Sequence, residues 1–400
     1  MAVPQRIALL ALAAAVVAAV LPRGDVDARQ DRDEPYREAE LLAEVRQWIL
    51  EGYVDEPDAR AVFRGALRGM AESLDPYSTL LGPEDLSLLR EDAEGAFGGV
   101  GAVLAERGGD VVVAGVEEGG PAQKAGWRRG DVLLEVDGVP ARGRDLDRTA
   151  GRLRGTPGTE VRVKLRRGAG KAPLEVTVKR EPVELRTVRH ADLLPGGNGA
   201  GYLRVESFQR STPREMESAL RRLLGQGMRG LVLDLRDNGG GLFEAAVEAA
   251  DLFLEEGTIL ETEGRLPGAR AVYAARKAGT LPPFPVAVLV NGGTASASEA
   301  LAGALRGAGR AVLVGSRTYG KNAVQSLLFL EDGHALKLTT ARFVIPSWSA
   351  GGAGRGFAGF DADVRAGGEA GETPFPDGPP DPGSDPALRA GMETLRDRMR

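Results

Sequence analysis

A serine and a lysine within one stretch of the chain could together form an activated nucleophile. Ser296 lies in the run NGGTASASEAL, and Lys321 lies in the later run TYGKNAVQ. An apolar strand predicted over Val286–Val290 ends shortly before the serine, and a helix is predicted to open near Ala297. At such a junction a hydroxyl can be exposed beside unpaired backbone N–H groups. Because serine–lysine pairs are a known form of activated nucleophile, these residue types suggest covalent catalysis.

The composition narrows the choice of base. The chain has no Cys and only two histidines, His190 and His334, neither of which lies in a motif-like setting. A thiolate nucleophile and thiolate metal sites are therefore excluded, and lysine becomes a serious candidate for the base. The pKa of lysine is ordinarily about 10.4, so Lys321 must be desolvated to activate Ser296 near neutral pH. Gln325, four residues after the lysine, is predicted to orient it.

The same stretch also admits less specific interpretations. Ser296 and Ser298 are of a residue type that commonly caps a helix, and Lys321 could be a solvated loop residue. In addition, Gly315 to Lys321 reads G-x-x-x-x-G-K after an apolar strand, which is most of a phosphate-binding loop. That loop needs Ser or Thr next and then a helix, whereas Asn322 and a predicted strand follow here. Composition alone leaves catalysis and simple capping open, and it disfavours nucleotide binding.

The two runs together resemble the core signature of the carboxyl-terminal processing (tail-specific) serine proteases. The matching segments are TASASEALAGAL and TYGKNAVQ. The resemblance implies that Ser296 is the nucleophile, that Lys321 is the general base and that Gln325 belongs to the same site. Asn322 departs from the family pattern, which more often has glycine there. No metal or organic cofactor is implied.

A second glycine-rich turn is predicted to supply the oxyanion hole. An apolar strand over Gly230–Leu235 runs into DLRDNGGG, and a helix is predicted directly after it. Such a turn presents unpaired amide hydrogens, which an oxyanion hole requires. The family has a similar element, usually with proline where Gly239 stands, and the resemblance implies that the amides of Gly240 and Ala297 are the donors. Gly241 is the alternative to Gly240, and a flexible connection is the non-catalytic interpretation.

A compact β-rich module is predicted over residues 96–183. The run GPAQKAGWRRGDVLLEVDG within it resembles a PDZ domain of the bacterial protease type. Such domains bind an extended peptide as an added strand and hold its terminal carboxylate on backbone amides. The resemblance implies a carboxylate-binding loop of Gly99, Val100 and Gly101, with the groove helix over Leu146–Leu153. Glycines suit an anion cradle because the backbone can approach closely, although they could also form an ordinary β-turn.

The chain begins with a segment that is predicted to direct export. Arg6 precedes an apolar run over residues 7–21, which is short for a membrane-spanning helix and suits a secretory signal. The residues from Val26 to Ala28 are suited to cleavage after Ala28. An uncleaved anchor in the inner membrane, formed by residues 7–21, is the alternative. Both interpretations place the rest of the chain in the periplasm or elsewhere outside the cytoplasm.

A helical pair is predicted before the PDZ-like module. Apolar residues recur at helical spacing over Arg37–Gly52, and a second helix is predicted over Asp58–Leu74. The run LDPYS, from Leu74 to Ser78, is predicted to be a turn because of its Asp-Pro step. This pair with its LDPYS ending also resembles the N-terminal region of the protease family.

The length of 400 residues predicts two or three domains, and the hydrophobic share of 42% supports real cores. The net charge of −6 does not indicate a surface that binds nucleic acid. The resemblance implies an α/β + β fold class: a crotonase-like (ClpP/crotonase-type) α/β protease core with an inserted PDZ domain and an N-terminal helical region. The predicted order is a signal or anchor over 1–28, the helical region over 35–95, the PDZ domain over 96–183, the protease core over 184–364, a Gly/Pro-rich linker over 365–384 and a C-terminal helix over 385–400.

These features together predict an exported serine endopeptidase whose PDZ domain recognises C-terminal or unfolded segments of protein substrates. Protein or peptide substrates are the predicted partners, with an adaptor or activator protein and a homo-oligomer as further options. A non-catalytic PDZ adaptor is one alternative, but it has no need for Ser296, Lys321 and Gln325 together. An acyl-CoA-processing enzyme on the same general fold is another, and the export signal and PDZ module oppose it because acyl-CoA is cytosolic.

Overall fold

The computed structural model describes residues 34–141, 146–168, 172–184, 186–345, 359–367 and 381–399. The predicted signal or anchor over 1–28 and most of the predicted linker lie outside these residues. Within the described ranges, none of the helices combines the length and the apolarity that crossing a membrane requires. The chain divides into two compact units, residues 1–69 and residues 70–400.

The first described elements are helical, followed by one short strand. Helix α1 spans Glu34–Gly52 and helix α2 spans Ala59–Glu72. The Asp58 carboxylate caps the start of α2, because it accepts two backbone hydrogen bonds from the first helical turn. Strand β1 then covers Thr79–Leu81, and helix α3 covers Pro83–Glu94. The region predicted to be helical therefore also contains a strand.

A small β-domain follows, with a hydrophobic core of its own around Trp127. Its elements are β3 Ala102–Arg107, β4 Asp110–Val116, α4 Pro121–Lys124, β5 Val132–Val136, β6 Val139–Pro140, α5 Leu146–Leu153, β7 Glu160–Arg166 and β8 Leu174–Lys179. The strand order is β3-β4-β5-β7-β8, with β6 paired to β5. Strands β2 (Ala96–Gly99) and β9 (Glu181–Glu184) pair with each other where the chain enters and leaves this domain. Helix α5 has the bounds predicted for the groove helix.

The remaining chain forms an α/β core. Its elements are β10 Val188–Leu193, β11 Ala200–Val205, α6 Thr212–Gly225, β12 Gly230–Asp234, α7 Phe243–Asp251, β13 Thr258–Gly264, β14 Ala271–Ala274, β15 Val286–Val290, α8 Ala297–Gly307, β16 Ala311–Gly315, β17 Ala323–Phe329, β18 Ala335–Val344, β19 Val364–Arg365 and α9 Pro386–Arg398. Strand β19 extends to Arg365, one residue beyond the predicted end of the core. Strands β13 and β14 were not among the predicted elements.

A six-stranded sheet with the order β10-β11-β12-β15-β16-β19 lies at the centre of this core. All neighbouring strands are parallel except β10 and β11. Strands β12 and β15 are buried along their whole length, as expected for a parallel sheet that is covered on both faces. Alternate residues of these strands face opposite cores: Leu231 and Leu233 pack with α6, α7 and α8, whereas Val232 and Leu289 pack with α9. The C-terminal helix is thus one layer of the core.

A second, antiparallel sheet with the order β1-β18-β13-β14 lies beside the first, and β17 also pairs with β18. Strands β17 and β18 form an antiparallel hairpin around the Asp332-Gly333 turn, and β17 agrees with the strand predicted after Asn322. Strand β1 joins the sheet through its pairing with β18, in which Thr79 lies opposite Lys337. This pairing brings the LDPYS turn, which directly precedes β1, to the region of the hairpin.

A buried ion-pair network fastens α9 to the end of β12. The Arg236 guanidinium is buried and donates to Asp234 at 2.6 Å and to Asp385 at 2.7 Å. Asp385 also caps α9 by accepting a hydrogen bond from the Leu388 amide at 3.0 Å, and the Tyr202 hydroxyl donates to Asp234 at 2.7 Å. Because Arg236 directly precedes the glycine-rich turn after β12, the network couples that turn to the docking of the C-terminal helix.

Replacing Asp385 by alanine is expected to destabilise the core, since α9 loses its cap and Arg236 loses one of its two carboxylates. We expect the free energy of unfolding to fall by about 2–3 kcal/mol. Asp397→Ala is the matched control, because this exposed aspartate of the same helix should change stability by less than about 0.5 kcal/mol. Urea unfolding of the full chain measures both. Equal stabilities of the two variants would show that the network does not hold the helix.

Candidate active site

Ser296 lies where the turn after β15 becomes helix α8. Its backbone has φ +56° and ψ −117°, a left-handed conformation that is uncommon for residues with a side chain. Such strained backbone clusters at functional sites, where the surrounding structure holds it. The residue is half-buried while Ala297 and Ser298 beside it are buried. The structure therefore places the Ser296 side chain at the N-terminus of a helix and within reach of a ligand, as the sequence predicts.

The carboxylate of Glu299 joins the serine segment to the lysine segment. It is fully buried, and it accepts from the amides of Ser296 at 2.9 Å and Lys321 at 2.8 Å. It also accepts from the Gly320 amide at 2.8 Å and from the Thr318 hydroxyl at 2.6 Å. Burial raises the pKa of Glu299, and these four hydrogen bonds oppose that rise. Sequence reasoning missed this residue, although Ser-x-x-Glu is the pattern of a helix capping box.

Lys321 lies half-buried beside an aromatic ring. Its Nζ is 4.3 Å from the centroid of the Tyr77 ring, and in the described part of the chain it makes no hydrogen bond or ion pair. Burial lowers the pKa of Lys321, the charge of Lys337 lowers it further, and the carboxylates of Asp75 and Glu299 oppose the change. A lowered pKa is what a lysine needs to serve as a general base near neutral pH.

Gln325 lies on β17, and it makes no direct hydrogen bond to Lys321 among the described residues. Its Nε2 donates to the Thr339 hydroxyl of β18 at 3.3 Å. The Thr339 amide in turn donates to the Ser78 hydroxyl, which donates to Asp75, both at 3.1 Å. Gln325 therefore contacts the surroundings of the lysine through a chain of polar groups.

The glycine-rich turn after β12 packs directly against the nucleophile candidate. Gly240 has φ +103°, and a Cβ atom built on it would lie 2.9 Å from the Ser296 Cβ. The same atom would lie 2.9 Å from the Ala295 carbonyl oxygen and from the Ala297 nitrogen. Only glycine fits at this position, and the structure brings Gly240, Ser296 and Ala297 together. An oxyanion hole requires backbone amides close to the nucleophile in this way.

The two predicted oxyanion donors differ in their present partners. The Ala297 amide has no acceptor among the described residues, as expected for the first turn of a helix. The Gly240 amide donates to the buried Asn238 Oδ1 at 2.9 Å, so it can bind an oxyanion only after leaving that acceptor. Gly241, the alternative donor, is exposed, and its Cα faces the Phe208 backbone instead of the serine.

The predicted PDZ groove lies between β3 and α5. A cavity of about 170 Å³ is lined there mainly by apolar residues, which include Val100, Gly101, Ala102, Leu104, Leu146 and Leu153. The Val100 carbonyl accepts from the Ala122 amide at 2.7 Å, which fixes the loop at one end of the groove. Gly101 has φ +69°, whereas Gly99 lies in β2 opposite Glu181. The structure therefore brings Val100 and Gly101 to the groove and does not bring Gly99 there.

Two family profiles match the chain. The profile of Peptidase family S41 matches residues 199–362, which contain Gly240, Ser296, Lys321 and Gln325. The profile of the PDZ domain matches residues 112–167, within the small β-domain.

Curated relatives match most of the chain. A carboxy-terminal-processing protease of Bartonella bacilliformis is 32% identical over 316 residues, which cover 78% of this chain and 72% of that protein. A carboxyl-terminal-processing protease of Synechocystis is 37% identical over 305 residues, which cover 75% of this chain and 71% of that protein. Both relatives extend beyond the matched stretch.

A methyl group at Gly240 is expected to disable the site, because it would meet backbone atoms on both sides of Ser296. We expect Gly240→Ala to slow the acylation of Ser296 by p-nitrophenyl acetate by at least about 100-fold. Gly239→Ala is the matched control: no atom of the described residues lies within 4 Å of a Cβ there, and the rate should stay within roughly threefold. The release of p-nitrophenol measures both. Equal rates in the two variants would show that Gly240 has no role in the acylation.

Proposed function

Since the chain belongs to the carboxy-terminal processing serine proteases of peptidase family S41, we propose that Ser296 and Lys321 are its catalytic dyad. The Glu299 carboxylate is the observation that carries this proposal, because it accepts from the backbone amides of both residues. One buried group thereby sets the position of the nucleophile relative to the base. The lowered pKa of Lys321 supports the same assignment.

The proposed reaction begins when the Ser296 hydroxyl attacks a peptide carbonyl and the neutral Lys321 amine accepts its proton. The amides of Ala297 and Gly240 stabilise the oxyanion, after the Gly240 amide turns away from Asn238. Lys321 then gives the proton to the departing amine, which leaves an acyl-enzyme. Water releases the product acid by the same steps, with Lys321 again accepting and returning a proton.

Gln325 acts in this proposal as a positioning residue. Its contact with Thr339 places it in the polar chain that ends at Asp75, and the Asp75 carboxylate is one of the charges that act on Lys321. In the proposal Gln325 acts on the lysine amine through this chain, since its amide nitrogen donates to Thr339.

The pH dependence follows from the ionisation of the base. Only the neutral amine of Lys321 accepts a proton, so kcat/KM rises as the pH increases through the pKa of this lysine. Burial and Lys337 lower that pKa, which moves the rise below the range of an ordinary lysine.

The PDZ domain is proposed to deliver substrates to this site. Its groove pairs an apolar lining with the loop of Val100 and Gly101, which suits an extended segment that ends in an apolar residue and a free carboxylate. We propose protein C-termini and unfolded segments as the substrates. The proposal extends to a crotonase-like arrangement of the α/β core and to export directed by residues 1–28, with the protease active in the periplasm.

Cleavage of casein by the purified chain tests the dyad. We expect Ser296→Ala and Lys321→Met each to reduce the rate by at least about 1,000-fold, because each removes a group that reacts directly. Ser298→Ala is the matched control, since this buried hydroxyl has no hydrogen-bond partner among the described residues and lies two residues from the proposed nucleophile. Peptide products resolved by mass spectrometry measure the rate. Full activity in either dyad variant would contradict the mechanism.

The binding of short peptides tests the role of the PDZ groove. In the Ser296→Ala background, a peptide with a free apolar C-terminus should bind at least about tenfold more tightly than its C-terminal amide. Gly101→Val should remove this difference, because its backbone has φ +69° and a Cβ would lie 3.3 Å from Glu117. Fluorescence anisotropy of labelled peptides measures the affinity. Equal affinities of acid and amide would place carboxylate recognition elsewhere.

A further inference from the structure

Apart from Ser78 and the charged Asp75 in the polar chain from Gln325, the LDPYS turn has no part in the reaction described above, yet it lies against the proposed base. The Asp75 carboxylate accepts from the amides of Tyr77 and Ser78, each at 2.8 Å, and these bonds close the turn. The turn leads into β1, and the Ser78 hydroxyl accepts from the Thr339 amide of β18. The Tyr77 ring is thereby fixed on a structured turn, with Lys321 Nζ at 4.3 Å from its centroid.

We propose that the face of the Tyr77 ring is the binding seat of the Lys321 amine, which makes Tyr77 a positioning residue of the catalytic dyad. The proposal rests on the proposed function of Lys321 as the base. An aromatic face attracts an ammonium ion through its quadrupole and has little attraction for a neutral amine. The ring therefore stabilises Lys321 in the state it reaches after accepting the proton of Ser296.

An aromatic seat suits a base that must also return its proton. A carboxylate paired directly with the ammonium would hold the proton strongly and keep the lysine charged at rest. The ring offers no lone pair in the direction of the amine, so the proton stays available for the leaving group. Burial lowers the pKa of Lys321, and the ring limits the cost of charging it.

Among the described residues, no other group forms a hydrogen bond or an ion pair with the Lys321 amine. Both Glu299 oxygens are engaged by backbone amides and by the Thr318 hydroxyl. Burial raises the pKa of Asp75, but the backbone amides and hydroxyl groups around it hold the pKa below its ordinary value, so it stays ionised. Lys337 repels the ammonium form. Asp75 and Glu299 therefore act on the lysine amine only through their charge.

The contribution of the Tyr77 hydroxyl can be distinguished from that of its ring by substitution. Burial, the neighbouring Tyr319 phenol and the Asp75 and Glu299 carboxylates all raise the pKa of Tyr77, so the phenol remains neutral across the working range of the protein. The attraction for Lys321 therefore comes from the ring face and not from a phenolate. A phenylalanine at this position should preserve the seat, whereas an aliphatic residue should abolish it.

The ionisation of Lys321 can be measured without catalysis. In the full chain with Ser296→Ala, trace acetic anhydride acetylates amines only when they are neutral, and mass spectrometry of the Lys321 peptide gives the extent at each pH. We expect an added Tyr77→Leu to move the midpoint down by roughly half a unit to one and a half units, because the ammonium form loses its partner. Tyr77→Phe should leave the midpoint unchanged. An unmoved midpoint in Tyr77→Leu would overturn the proposal, as would equal shifts in both variants.

A substitution that preserves the shape of the ring provides a second test in case Tyr77→Leu does not fold. Trifluorophenylalanine at position 77 keeps the volume of phenylalanine but weakens the negative ring face, so the midpoint should fall relative to Tyr77→Phe. With Ser296 intact, Tyr77→Leu should also move the acidic limb of kcat/KM to lower pH and reduce kcat by about tenfold, with KM unchanged. The labelling measures the ionisation of Lys321 and remains valid even if the intact chain cleaves nothing. It therefore distinguishes an error in the proposed dyad from an error in the proposed role of Tyr77. An unchanged midpoint with trifluorophenylalanine would contradict the ring face as the cause.

Discussion

The buried carboxylate of Glu299 is the group on which the geometry of the site depends. Removing a carboxylate from water is costly, and this one is compensated by three backbone amides and one hydroxyl. Two of those amides belong to Ser296 and Lys321, which lie on loops after neighbouring parallel strands. The strands bring the two loops to the same edge of the sheet. The hydrogen bonds to the Glu299 carboxylate then fix the distance between the loops. Backbone amides and the Thr318 hydroxyl thus satisfy the Glu299 carboxylate, which forms no ion pair with the lysine amine in the part of the chain that the structure describes.

The layers around the central sheet hold the other parts of the site. On one face α8 carries Ser296 at its N-terminus, and on the opposite face α9 docks through the ion pairs of Asp385 with Arg236. Arg236 directly precedes the turn that places Gly240 against the serine. The second sheet contributes β17, which carries Gln325, and β1, which follows the turn that carries Tyr77. Elements distant in the sequence therefore converge on the proposed nucleophile, the proposed oxyanion donors and the proposed base.

The sequence could predict the parts of the site that depend on local patterns. Ser296 at a strand-to-helix junction and the glycine-rich turn at Gly240 follow from short-range signals, whereas the bounds of the groove helix came from the resemblance to a PDZ domain. The contacts that depend on distant partners could not be read in this way. Asp385 and Arg236 lie 149 residues apart, and nothing in either segment indicates the other. The occupation of the Gly240 amide by Asn238 and the bond from Gln325 to Thr339 depend likewise on side-chain rotamers in the folded chain. Sequence reasoning missed Glu299 although its spacing from Ser296 fits a capping box, and its bonds to the lysine loop depend on the folded chain.

Labelling with a fluorophosphonate tests most directly whether Ser296 is a nucleophile activated by Lys321. This reagent phosphonylates an activated serine hydroxyl with loss of fluoride, and peptide mapping locates the modified residue. If Lys321 activates Ser296, one serine, Ser296, is modified, and the labelling rate falls by at least about 100-fold in Lys321→Met while the chain stays folded. Modification of a different serine, or an undiminished rate in Lys321→Met, would contradict this mechanism.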